Sequence, residues 1–426
     1  MDSPERQGRG ARADSEPAMI DATLYRGLTE PRHSRRQFLR AAGAGIGALG
    51  VGGLLSACGI KGTEAVATAD TFDWTGWWKR QKPTRALNFA NWPLYIDTSH
   101  GKHPSLEQFT KQTGIKVNYF EVINDNGSFY TNIEPTLKAG KSTGYDLIVM
   151  TDDDWTVFEL VKLNRWITPL DHSRMPNFFK YASPLVRHSG YDPTNTYTAA
   201  WQSGFTGIAY DPTKIDREIN SIHDLWDPAF KGHVGMMSDN TELGSAGLLA
   251  AGIDPAKSTP SDWKKAARLL TQQQDAGLVS QYYDQSYIKA LETGDIWITQ
   301  AWSGDIFQAN ASGFPHLKFV APQEGVMLWT DTMMIPLHAQ NPISAMEWIN
   351  FYYQPKVAAE VEDWVNYICP VPAAQKILRK EDPPVGNSAL VFPTKAESSL
   401  VRGYYNYTTY AEYNAWNSVF NPIIQS

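Results

Sequence analysis

From Arg85 onward, short apolar runs of β character alternate with segments of helical period. That alternation restricts the fold more than any other feature of the chain. RALNFA (85–90) reads as a strand, Leu106 to Thr113 as a helix stopped by Gly114, and Ile115 to Phe120 as a second strand. Phe129 to Ala139 reads as a helix and Asp146 to Met150 as a buried strand. Strand, helix, strand at this spacing means βαβ units on a parallel sheet. A similar set recurs: Trp263 to Ala276 and Ser286 to Thr293 as helices, Ile296 to Ala301 and Phe319 to Pro322 as strands. The last third (Ile343 to Tyr352, Pro355 to Asn366, Ala373 to Lys380) is mostly helical. The expectation is an α/β protein of two lobes, with two mostly parallel sheets and a cleft between them.

The segment before Arg85 reads as an address. Ser34-Arg35-Arg36-Gln37-Phe38-Leu39 precedes an uncharged, Gly/Ala-rich stretch from Ala41 to Ala57, then Leu55-Ser56-Ala57-Cys58. Paired arginines, an apolar stretch too short to span a bilayer and small residues before a cysteine describe a bacterial export signal. The order resembles a twin-arginine signal ending in a lipobox, in which Cys58 is acylated and becomes the first mature residue. Residues 1–57 are then the signal peptide and 58–83 a lipid-anchored tether. Trp74, Trp77 and Trp78 within that tether pack on the domain or lie at the lipid headgroups. No later stretch is long and apolar enough to cross a membrane.

Composition narrows the function. The formal charge of −7 and the lack of a basic stripe argue against nucleic acid. Two cysteines, Cys58 and Cys369, make no disulfide framework, and no Cys/His spacing suits zinc. There is no nucleophile elbow, HExxH or phosphate loop. Neither cofactor nor metal is expected. Rings are plentiful, with 15 Trp, 20 Tyr and 17 Phe.

Many of the Trp residues sit beside acids at strand ends, where α/β proteins bind ligands. Asn91-Trp92-Pro93-Leu94-Tyr95 follows the first strand, and Thr151-Asp152-Asp153-Asp154-Trp155 follows DLIVM. Asp239 and Glu242 follow a short apolar run, Trp302-Ser303-Gly304-Asp305 follows IWITQA, and Trp329-Thr330-Asp331 precedes Met333 to Pro336. Aromatic faces pack methylenes and attract cations, while carboxylates bind ammonium groups by charge-assisted hydrogen bonds. A linear apolar guest with positive ends satisfies both. Singly, each element has a plainer reading: Asp239 or Asp152 as a helix cap, the triple aspartate as a solvated turn or weak cation site.

Their joint order resembles the spermidine/putrescine-binding proteins of bacterial ABC importers across nearly the whole chain from Arg85. The resemblance rests on Asn91, Trp92 and Tyr95 after the first strand, TGIKV (113–117), YDL (145–147), TGIAYDPTKI (206–215) and SIHDLWDPAFKG (221–232). The acidic pair Asp239/Glu242, the strand-end Trp302, and Trp329 with Asp331 complete it. It implies a two-lobed periplasmic-binding-protein-like fold that is not an enzyme. Trp92, Tyr95, Trp302 and Trp329 would box the methylene chain, and Asp239, Glu242 and Asp331 would hold the nitrogens. Asp305 resembles a carboxylate of the putrescine-binding branch, and Thr151 stands where the family has Ser. The family's next residues, Thr-Tyr-Tyr, are replaced by Asp152-Asp153-Asp154, so a pocket tyrosine is missing and Asp153 joins the candidate ligands.

The implied protein is an exported monomer on the outer face of the cytoplasmic membrane, passing a polyamine to an ABC permease and, through it, an ATPase. Lobe one would comprise 84–203 and about 330–370, and lobe two 204–329 and about 371–426. The chain would cross between them near Gly204 to Tyr210 and Gly325 to Met333. The rival reading is a solute-binding protein for a sugar or a ferric chelate, with Tyr352-Tyr353 or Tyr404-Tyr405 as chelate ligands.

Overall fold

The computed structural model describes residues 72–187 and 190–425. The twin-arginine segment, Cys58 and the tether up to residue 71 lie outside the described residues.

Ten strands run in chain order: β1 Ala86–Asn91, β2 Lys116–Glu121, β3 Leu147–Thr151, β4 Ala199–Tyr210, β5 Val234–Met237, β6 Val279–Tyr283, β7 Ile298–Trp302, β8 Lys318–Val320, β9 Val326–Met334 and β10 Val401–Arg402. Both expected parallel blocks are present: β1 pairs in parallel with β2 and β3, and β5 with β6 and β7. They are not separate sheets, however. One hydrogen-bonded path runs β2-β1-β3-β9-β4-β7-β5-β6. The long strands β4 and β9 carry it across, antiparallel to each other and to the flanking β3 and β7. Gly204 to Tyr210 falls in β4, and Gly325 to Met333 begins one residue before β9. A third link is the bridge between Ser203 and Ile368.

Local chemistry explains most helix ends. Gly114 adopts φ 74°, the left-handed conformation that closes helix Pro104–Thr113. The Asp125 carboxylate accepts from the Ser128 N–H ahead of helix Asn126–Lys138. Thr259 and Asp262 form a capping box on helix Pro260–Asp275. Helix Asn240–Ala250 is absent from the sequence reading because it is buried all round, from Glu242 to Ala250, and so has no polar stripe to mark its period.

Two expectations shift. Residues 74–80 of the supposed tether form a helix, docked by Trp78, whose Nε1 donates to the Pro169 carbonyl at 2.9 Å; Trp78 and Trp77 pack on the domain, and Trp74 meets Trp77 edge-on. The division expected at 371 also moves. Helix Gln375–Glu381 packs on Pro355–Val365, itself packed on Pro104–Thr113, so the chain stays with the first block past 371. It meets β9 again only at β10, and helix Tyr410–Gln425 then packs on Asn240–Ala250 and Pro260–Asp275 of the second block.

Gly204 of β4 lies under the Trp329 ring: a Cβ there would stand 2.1 Å from Cζ2 of the indole. Gly204→Ala is therefore expected to lower stability by about 1–3 kcal/mol through overpacking. Denaturant unfolding checks it; an unchanged midpoint would mean that the indole turns away freely.

Candidate ligand-binding cleft

The carboxyl ends of the two parallel blocks meet along the central β4–β9 pair. Thr151, the last residue of β3, pairs with Asp331 of β9, and Trp302, the last of β7, pairs with Thr206 of β4. Strand-end residues distant in sequence thereby line one groove.

At the β3 side, Asp331 is buried, and its two oxygens accept from Tyr95 Oη and Thr151 Oγ1, both at 2.7 Å. Asn126 Nδ2 donates to Thr151 Oγ1 and fixes its rotor. Trp92 is half-buried, its Nε1 donating to the Val149 carbonyl. Trp329 is buried and meets Tyr367 edge-on at 5.2 Å.

At the β7 side, Glu242 is only 5% exposed. Its Oε1 accepts from Thr206 Oγ1 (2.7 Å), Tyr404 Oη (2.9 Å) and Trp302 Nε1 (3.3 Å). Its Oε2 has no hydrogen-bond partner among the described residues. Asp239 caps helix Asn240–Ala250, accepting from the Thr241 and Glu242 N–H groups. The plainer reading of Asp239 as a helix cap is thus met, and the residue is exposed.

The triple aspartate lies between these ends. Asp152 Oδ1 accepts from the Thr330 N–H, and Asp154 caps the short helix Trp155–Phe158. Asp153 remains half-buried in the field of Asp152, Glu242, Asp239 and Asp154. Lost hydration, aided by neighbouring carboxylates, raises all of these acids. Asp152 and Glu242 are each pushed up to about 7 and Asp154 to about 6; Asp153 stands well above the usual carboxylate range and Asp239 is raised. Together these acids concentrate negative charge beside the strand ends.

Asp305 is placed differently. It is 1% exposed, and its oxygens accept from Tyr287 Oη and Tyr367 Oη at 2.5 and 2.7 Å, so it braces the tyrosines behind Trp302. Gly304 allows this, because a Cβ there would meet the Tyr367 ring at 2.4 Å. The chelate reading loses its ligands: Tyr352 and Tyr353 are core residues donating to the Trp201 and Ala200 carbonyls, and Tyr404 holds Glu242. Sequence reasoning missed Tyr367, Tyr287 and Thr206 altogether. It also missed that Trp155 stacks on Tyr413 at 4.7 Å and 10°, joining the first block to the C-terminal helix beside the acids. Among the described residues no group of His, Cys, Asp and Glu is arranged to hold a metal ion.

The profile of the bacterial extracellular solute-binding protein family matches residues 105–389. The chain belongs to that family. It is a binding protein, not an enzyme. This solute-binding protein is 30% identical over 308 residues to the spermidine/putrescine-binding periplasmic protein of Salmonella typhimurium, covering 72% of its own length and 83% of that relative's. Its fold matches the substrate-binding protein of a spermidine/putrescine ABC transporter from Streptococcus pneumoniae, with TM-score 0.70, 23% identity and coverage of 80% and 99%. It also matches a Treponema pallidum lipoprotein, with TM-score 0.66, 21% identity and coverage of 80% and 100%.

Proposed function

We propose that this solute-binding protein captures a polyamine in the cleft and delivers it to an ABC import permease, and through it to the ATPase. The observation that carries the reading is the run of carboxylates, Asp331, Asp152, Asp153, Glu242 and Asp239, flanked by Trp and Tyr, with Glu242 Oε2 meeting no hydrogen-bond donor among the described residues. Carboxylates crowded in poor hydration are costly, and an ammonium-bearing guest would relieve them by adding charge and N–H donors. Trp92, Tyr95, Trp302 and Trp329 would cover the methylenes, and Thr151 would help set Asp331. Asp305 enters this reading as a brace for Tyr367 rather than as a ligand. A neutral sugar has no use for so many acids. That the relatives are periplasmic polyamine-binding proteins supports the reading.

In this account the protein is exported through the twin-arginine segment, held by lipid at Cys58 on the outer face of the cytoplasmic membrane, and works as a monomer. The two blocks act as lobes that close by hinging in β4 and β9.

The test is a thermal-shift and calorimetric titration of the full chain with putrescine, spermidine, spermine and a neutral sugar panel. A ligand of the folded state at 100 times its Kd adds about 2.7 kcal/mol of stability. Saturable stabilisation by an amine and none by sugars is expected. Stabilisation by a sugar with silence toward every amine would retain the fold and discard the polyamine.

A further inference from the structure

Resting on the polyamine reading, we infer that Asp153 and the unpartnered oxygen of Glu242 form an additional ammonium station, which makes this cleft select amines with three or more cationic nitrogens over diamines, with Asp153 as the residue setting the preference. The first observation is the lopsided state of Glu242. Three donors converge on Oε1, while Oε2, buried in the same side chain, meets none. A buried acceptor left bare costs roughly 1–3 kcal/mol, more when charged. An ammonium group is the donor that suits it, since it brings both N–H bonds and the compensating charge.

The second observation is where Asp153 stands. It is half-buried between Asp152, which lies beside Asp331, and Asp154, and stands in the field of the Glu242–Asp239 pair. The two ends of the cleft are thus joined by a carboxylate rather than by a neutral surface. Unlike its neighbours it is committed to no cap: Asp154 holds Thr156 and Asp239 holds Thr241 and Glu242. A diamine pairs with the acids at two stations and leaves the third pressed against its neighbours in poor hydration. A triamine or tetramine neutralises the middle as well, and relieves the repulsion that raises these groups. Asp153 and Glu242 sharing one cation is the arrangement in which each relieves the other.

The experiment is calorimetry on the full chain at pH 8 with putrescine, spermidine and spermine, for the wild type, Asp153→Asn and Asp153→Glu. The wild type is expected to bind spermidine or spermine at least about tenfold more tightly than putrescine, the yield of one charge-assisted hydrogen bond. Asp153→Asn should shrink that ratio by about tenfold, because losing the charge hurts the longer amines most. Asp153→Glu should keep most of it. A ratio unchanged in Asp153→Asn, or a wild type that prefers putrescine, overturns the inference while the polyamine reading stands. Failure of all three amines to bind the wild type overturns that reading, and this inference with it.

Discussion

Asp331→Ala is expected to raise the Kd for a polyamine by about 200- to 5000-fold, the loss of roughly 3–5 kcal/mol that follows when one partner of a buried ion pair is removed. Asp331 lies at the junction of β3 and β9, with Tyr95 and Thr151 both donating to it, so its position is set from two sides before any ligand arrives. Its removal also strips those hydroxyls of their acceptor. Tyr95→Phe, which keeps the acid and removes one donor, should cost far less, about tenfold. An exposed acid provides the comparison: Glu397 lies in a capping box on the short helix Lys395–Ser399, and Glu397→Ala should leave amine affinity within about twofold, as expected for a surface charge. Calorimetric titration of the three variants decides the matter. Equal, small losses in Asp331→Ala and Glu397→Ala would remove Asp331 from the site.

The parallel blocks were legible because each strand is a compact apolar run between turn residues, as LIVM of β3 shows, and because Gly114 ends its helix by backbone conformation alone. The central strands were not legible as strands. β4 is buried along all twelve residues, and AAWQSGFTGIAY mixes apolar, polar and glycine positions with no period of two. Its polar residues are inside because they have assigned partners: Ser203 reaches Thr330, Thr206 reaches Glu242. What looks like a loop composition is the cost of running a strand through the middle of a binding site. The same cause hid the union of the two sheets, since only long-range pairing joins β4 to both β7 and β9.

The candidate site divides along a similar line. Trp302, at the end of β7, and Asp331, inside β9 opposite the end of β3, are the kind of residue that position in the pattern and chemistry together single out. Tyr367 and Tyr287 carry no such mark. Tyr367 belongs to the turn after helix Pro355–Val365 and reaches Asp305 from 62 residues away. Only the tertiary fold brings that hydroxyl to the carboxylate. A carboxylate after Trp302 resembles a cation ligand in sequence, and the fold adds two tyrosine hydroxyls that donate to Asp305.

The acids of the cleft also predict how capture depends on pH. In the empty protein, Glu242 and Asp152 are raised to about 7 and Asp154 to about 6, chiefly by lost hydration, with Asp153 and Asp239 raised beside them. The guest's ammonium groups, with a pKa of roughly 10, stay charged throughout this range. Protons and amine therefore compete for the same oxygens, and affinity should fall as pH drops from 8 to 5, by up to about tenfold per unit for each acid that must ionise. Binding should release protons near pH 6.5, seen as a calorimetric heat that changes with the buffer's ionisation enthalpy.

Stability of the empty protein runs the opposite way. A carboxyl whose folded pKa exceeds its unfolded one binds more protons when folded, so its contribution falls as pH rises from the unfolded value through the folded value. For Glu242 that window runs from its ordinary value of 4.5 to about 7, a loss of about 3 kcal/mol at 1.36 kcal/mol per pH unit. Glu242→Gln should accordingly gain thermal stability relative to the wild type as pH rises from 5 to 8, while its amine affinity drops and loses much of its pH dependence. A constant stability difference between the two proteins across that range would mean that Glu242 is ionised in the empty cleft at pH 5, and its carboxylate would then need a partner other than the amine.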